Sequence, residues 1–167
     1  MSRRCVISDP IQFAFDGQVL SGELEFAELS RLAGVLSSTE GVLSWSLEGI
    51  HGEDGRPYLR LSLRGTSELS CQRCLSALSW QLDHVSLLQL QRPGSAISDE
   101  ELEIEEYDAI EAVADFDVLA LIEDELLLAV PLVPKHDQCE PPASAGASEK
   151  KSPFDVLAKL RVSGKVQ

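Results

Sequence analysis

The chain has 167 residues, 44% of them hydrophobic and 5% aromatic, with four cysteines and a net charge of −14. That length holds one well-buried core with room for a tail, and four cysteines spread over it do not make a disulfide scaffold. The start, Met1-Ser2-Arg3-Arg4-Cys5, has no apolar leader, and the longest apolar run, Leu126 to Val133, is too short to span a bilayer. These features give the expectation of a cytoplasmic acidic protein with no membrane partner and its thiols reduced.

The charge is uneven. Residues 99–125 hold 13 acidic side chains and no basic one, whereas residues 1–98 hold 11 acids against 8 bases. Such a block repels phosphate and attracts basic surfaces; a solvated loop with no partner is the plainer alternative.

In chain order, Asp9-Pro10 marks a turn, and Phe13, Phe15, Val19 and Leu20 flank Asp16-Gly17, a hairpin-type turn signal. A helix is expected from about Glu25 to Leu36, where Phe26, Leu29, Leu32, Ala33 and Leu36 share a helical spacing. From Val42 to Gln91 the period becomes two. Leu43, Trp45 and Leu47 alternate with polar residues. Leu59, Leu61 and Leu63 then point to one side of a second strand, with Tyr58, Arg60, Ser62 and Arg64 on the other. Thr66 to Cys71 reads as a third strand and Ser79 to Gln91 as a fourth. Asp117 caps a helix running to about Val130, with an apolar stripe of Leu119, Ile122, Leu126, Ala129 and Val130, and Pro131 stops it. The whole is an α+β protein: an antiparallel meander flanked by helices and carrying a CxxC turn. Its divisions are a single domain over 1–140 with an acidic loop at about 93–116, a Pro/Ala/Ser/Gly linker over 141–151, and a helical tail over 152–167.

The chemistry concentrates on four residues. Cys71-Gln72-Arg73-Cys74 forms a turn whose sulfurs converge, and His136 and Cys139 supply an imidazole and a thiol at short spacing. Together they suit a structural zinc ion in a closed Cys₃His site. The alternatives are small buried hydrophobes or a redox pair, although a thiol oxidoreductase would want a βαβ setting and here the period is two. Tyr58, Arg60, Arg64 and Arg73 make the chain's basic–aromatic stripe, a candidate RNA contact of thin basic density. Glu123-Asp124-Glu125 lacks a neighbouring nucleophile, histidine or phosphate loop, so a structural role is expected, with no catalytic residue and no small-molecule substrate.

Three stretches taken in order, CQRC, DVLALIEDELLLAVPLVPKH with Cys139, and SPFDVLAKL, resemble the YceD-like family, the large ribosomal RNA subunit accumulation proteins. The resemblance runs from about Asp9 to Leu160. It implies a bacterial ribosome-biogenesis factor needed for accumulation or processing of 23S rRNA, with large-subunit rRNA or ribosomal proteins as partners. Two classes of function follow: a non-enzymatic assembly factor that binds rRNA or a basic ribosomal protein, or a metal-dependent RNA-processing enzyme. Nuclease chemistry wants acidic metal ligands beside basic phosphate clamps, and here the acids lie in a base-free run. The assembly factor is the better reading.

Overall fold

The computed structural model describes residues 5–95 and 106–142. The acidic residues 96–105 and the linker and tail from 143 onward, on which several of the expectations above fall, lie outside the described residues. The protein is α+β. Three strands, β4 (Val42–His51), β5 (Pro57–Ser70) and β6 (Ala77–Gln91), form an antiparallel meander. Outside β4 lies β2 (Val19–Glu25), also antiparallel. At the opposite edge β7 (Asp108–Glu111) runs parallel to β6. The short β3 (Leu36–Ser38) pairs with the far end of β5, and β1 (Val6–Ile7) pairs with β8 (Phe116–Asp117) in a separate ribbon. The third strand expected at Thr66–Cys71 is the continuation of β5. The acidic segment is not a loop throughout, since Asp108–Glu111 are in the sheet.

Period two decides which face is buried. Leu43, Leu47, Leu59, Leu61 and Leu63 are fully buried on the inner face, while Ser44, Arg60 and Arg64 are exposed on the outer face. A slip of one residue would invert every one of these, so the alternation fixes the register. Tyr58 departs from the expected exposure. It is buried, with its ring edge against Tyr107.

The inner face is covered by two helices and a chain of turns. Helix α1 (Pro10–Phe15) replaces the expected hairpin at Asp16-Gly17. Asp9 caps it by accepting from Gln12 N–H (3.0 Å), and Pro10 sits where a missing N–H costs nothing. Gly17, at φ +60, ends it: Gly17 N–H donates to the Ala14 carbonyl and Gln18 N–H to the Phe13 carbonyl, the paired bonds of a Schellman terminus. The helix backbone rests on Gly49, where an added Cβ would stand 2.4 Å from the Phe13 carbonyl oxygen.

The helix expected over 25–36 is not formed. A single 3₁₀ turn occupies Phe26–Glu28, followed by further turns with i to i+3 bonds from Leu29 N–H to Phe26, Leu32 N–H to Leu29 and Val35 N–H to Leu32. Phe26, Leu29 and Leu32 are three residues apart and all fully buried, whereas Ala33 is exposed. Three per turn is the 3₁₀ spacing, not the 3.6 of an α-helix.

Helix α2 (Val118–Ala129) forms where expected, with Asp117 accepting from Leu119 and Ala120 N–H. Its buried face is Val118, Leu121, Ile122 and Leu126; Leu119, Ala129 and Val130 are only half-buried. Glu123 and Glu125 are buried with it, because Glu123 accepts from Arg31 N–H (3.0 Å) and Glu125 meets His84 Nε2 at 3.3 Å. A buried carboxylate needs such partners. No described helix is long and apolar enough to cross a membrane.

Candidate metal centre

The turn joining β5 to β6 holds Cys71 and Cys74, and the chain leaving α2 after Pro131 returns to lay His136 and Cys139 on it. The turn is shaped by its backbone. Cys71 N–H donates to the Ser76 carbonyl (2.9 Å) and Leu75 N–H to the Cys71 carbonyl (2.8 Å), with Leu75 in the left-handed region at φ +62. Gln72 N–H donates to the Pro134 carbonyl (2.8 Å), and Arg73 Nη1 to the Cys139 carbonyl (3.3 Å), so the second segment is tied down on both sides of His136.

One donor atom from each of the four residues lies within 4.8 Å of all the others. The Cys71 and Cys139 sulfurs are 3.8 Å apart, and Cys74 Sγ is 3.4 Å from His136 Nδ1. Two sulfurs each about 2.3 Å from a tetrahedral zinc would stand about 3.8 Å apart, so the donor set and its spacing fit the ion. His136 Nε2 lies 3.2 Å from the Ala77 carbonyl, and donating there leaves Nδ1 with a lone pair toward the sulfurs, the orientation that outer partners impose on metal-binding histidines.

The four donors shift one another's titration in both directions. Burial pushes the Cys71 thiol up, but backbone N–H groups of Cys74, His136 and Arg73 outweigh it and hold the thiol well below its ordinary range. Cys74 is lowered chiefly by Ser76, through its hydroxyl and its N–H. His136 is raised by its bonds to the Cys71 and Cys74 sulfurs. Cys139 is raised by burial first and by the two neighbouring thiols. Cys71 and Cys74 therefore supply the readiest thiolates, the form that binds metal. Spacing in the sequence had named all four donors. It had not named Ser76, whose hydroxyl is 2.9 Å from Cys74 Sγ, nor the carbonyls of Ala77 and Pro134; backbone groups leave no mark in a sequence.

The other candidate residues are not brought together here. Arg60 pairs with Glu48 (3.2 Å) and Arg64 with Asp83 (3.0 Å), each across a strand pair, so the outer face offers neutralised pairs. Tyr58 is committed to Asp54, and Arg73 lies at the cysteine turn.

A family model described as Large ribosomal RNA subunit accumulation protein YceD matches residues 59–161. The chain belongs to this family. The match takes in β5, β6, α2 and all four donors, but begins at Leu59 and not near Asp9, so β1 to β4 lie outside it. No solved structure matches the chain. The name ties the family to large ribosomal RNA subunit accumulation, and so, coarsely, to ribosome biogenesis.

Proposed function

We propose that this protein is a non-enzymatic factor in 23S rRNA accumulation during large-subunit assembly, braced by a structural zinc ion and acting through a basic ribosomal protein as its direct partner. What supports the non-enzymatic part is the donor set: a tetrahedral ion held by Cys71, Cys74, His136 and Cys139 would have all four positions filled, with none left for water or a phosphate oxygen. Net charge favours a protein over bare RNA as first contact, since a −14 chain repels phosphate and its outer-face arginines are already paired. The α2 carboxylates that a nuclease could use are already engaged, Glu123 by the Arg31 N–H and Glu125 by His84.

The test is affinity capture of tagged protein from lysate, with and without RNase. Ribosomal proteins that stay bound after RNase support the reading, and their complete loss would make RNA the direct contact. Replacing Asp99, Glu100, Glu101, Glu103, Glu105 and Glu106 by Ser should weaken the protein complex; binding of the unaltered chain should also fall as salt rises, and the loss caused by the substitutions should shrink with it. RNA binding would respond in the opposite sense, because removing negative charge lowers repulsion from phosphate.

A further inference from the structure

Among the described residues, β2 pairs with β4 on one side and with no strand on the other. Two flanking bonds fix which backbone groups face that open edge. Gly49 N–H donates to the Gln18 carbonyl (2.8 Å), and Phe26 N–H to the Gly41 carbonyl (3.2 Å). Both continue the β2–β4 register, in which Leu20 opposes Leu47 and Leu24 opposes Leu43. Bonded and non-bonded pairs alternate along an antiparallel ladder. The even-numbered residues of β2 therefore bond to β4, and Val19, Ser21 and Glu23 turn N–H and C=O outward. Glu25 is next in that series, and its N–H is taken by Glu28 Oε1 (3.3 Å), which closes the edge at that end.

Against the inner side of this edge lies a groove of 320 Å³ lined chiefly by Leu20, Gly22, Leu24, Trp45, Leu119 and Ile122. Trp45 has its indole N–H buried without a hydrogen-bond partner. Its ring lies so close over Gly22 that an added Cβ there would come within 3.1 Å. Exposed edges are usually blunted by charged side chains, above all lysine, by proline or by a bulge; Val19–Glu25 has only the carboxylates of Glu23 and Glu25, with no lysine, proline or bulge, and its pairing with β4 is unbroken over all seven residues. An open ladder above an apolar groove is a sheet short of one strand.

We propose that the β2 edge binds an extended segment of a partner protein in which apolar residues alternate with basic ones. Added as a strand, every second side chain of the segment enters the groove, and the others stand on the outer face beside Glu23 and Glu25. Neither carboxylate has an ion-pair partner among the described residues, and no basic residue lines the groove or belongs to the strand. Charge thus selects Lys or Arg at the outward positions. This inference stands apart from the ribosomal reading, since any protein with such a segment satisfies it.

The experiment uses the full chain and a short fluorescent peptide of alternating Lys and Val, with two further versions N-methylated at every Lys or at every Val amide. All three carry the same charge, so capture by the acidic block treats them alike. Only strand addition separates them, because the amides of one series face β2. The expected result is that one methylated peptide binds about tenfold or more weakly than the parent while the other keeps most of its affinity. Hydrogen exchange should show new protection at the Val19, Ser21 and Glu23 amides when the parent peptide saturates. Ser21→Pro, which removes an outward N–H and leaves the β4 bonds alone, should reproduce the loss; if it fails to fold, the peptide series still decides. Equal affinity for all three peptides, or unchanged exchange at Ser21 and Glu23, overturns the proposal. So does prior protection of those amides that disappears on dilution or on deletion of residues 143–167, which would assign the edge to a second copy or to the chain's own tail.

Discussion

Two parts of the molecule fasten distant stretches of chain by unlike means. On the inner face, Leu43, Leu47, Leu59, Leu61 and Leu63 are fully buried against Phe26, Leu29, Leu32 and α2. Each contributes many weak contacts, so removing one side chain costs only part of the whole. At the β5–β6 turn, His136 and Cys139 are held against Cys71 and Cys74 by four donor atoms and a few backbone bonds. A metal bound there would need every donor, and its hold would depend on protons and oxidant. A core of leucines is indifferent to those conditions. One molecule thus combines a fold that should persist across them with a corner that should respond to them.

The largest expected effect is in the core. Leu61→Ala should destabilise by roughly 2–5 kcal/mol, the usual cost of truncating a fully buried leucine, read as a lower urea midpoint. The same shift should appear with and without a chelator. A shift that grows when zinc is removed would show that the two fastenings are coupled and would break the comparison.

Cys139→Ser comes next. Protein purified without chelator should hold about one zinc per chain, and the variant close to none. The loss should be local: faster amide exchange over 131–142 and at Gln72, with β4 and β5 still protected. Acidification should do to the wild type what the substitution does, because protons compete for the thiolates. If Cys139→Ser unfolds the sheet, the metal centre is part of the core's stability and not a separate brace.

How much of this was legible in the sequence depends on whether a feature is written locally. The inner face of β4 and β5 was, because period two is a local pattern, and so were Asp117 as the cap of α2 and the four donors, whose short spacings bring each pair together. The turns over 26–35 were misread because a spacing of three over Phe26, Leu29 and Leu32 imitates a helix until Ala33 breaks it. The burial of Glu123 and Glu125 could not be read at all. Their partners are the Arg31 backbone and His84, far away in the chain. Helix α1 was missed because Gly17 serves equally as a hairpin turn and as a helix terminus, and six residues carry little periodicity. The strand at Asp108–Glu111 was hidden by composition, since acids surround the Ala109-Ile110 pair that enters the sheet.

A third kind of fastening sharpens the contrast from below. Arg60–Glu48 and Arg64–Asp83 are exposed pairs on the outer face, and such pairs are typically worth ~0.2–1 kcal/mol and are screened by salt. Arg64→Ala should shift the urea midpoint slightly at low salt and hardly at all at high salt. A loss comparable with that of Leu61→Ala would mean that the outer face is covered by something bound to it.

The smallest effect, and the one with a pH signature, belongs to the tip of the β4–β5 hairpin. Gly52 N–H donates to the Arg56 carbonyl (2.8 Å) across the turn, and the Tyr58 hydroxyl donates to the Asp54 carboxylate (2.7 Å). Burial, and then that bond, push the Tyr58 phenol up to about 12. The same bond, followed by the Arg56 N–H, holds Asp54 below its ordinary value. For Asp54 the folded value is the lower one, so its contribution is present above the unfolded value of about 4 and is lost as pH falls through the folded one. For Tyr58 the folded value is the higher one, so its contribution is full below about 10 and is lost as pH climbs to about 12. The stability difference between wild type and Tyr58→Phe should therefore be flat across neutral pH and shrink toward both extremes. It should also be the same with and without chelator, since neither group touches the metal centre. A difference that stays constant up to high pH would leave the phenol uncoupled from Asp54 and reduce Tyr58 to a ring packed on Tyr107.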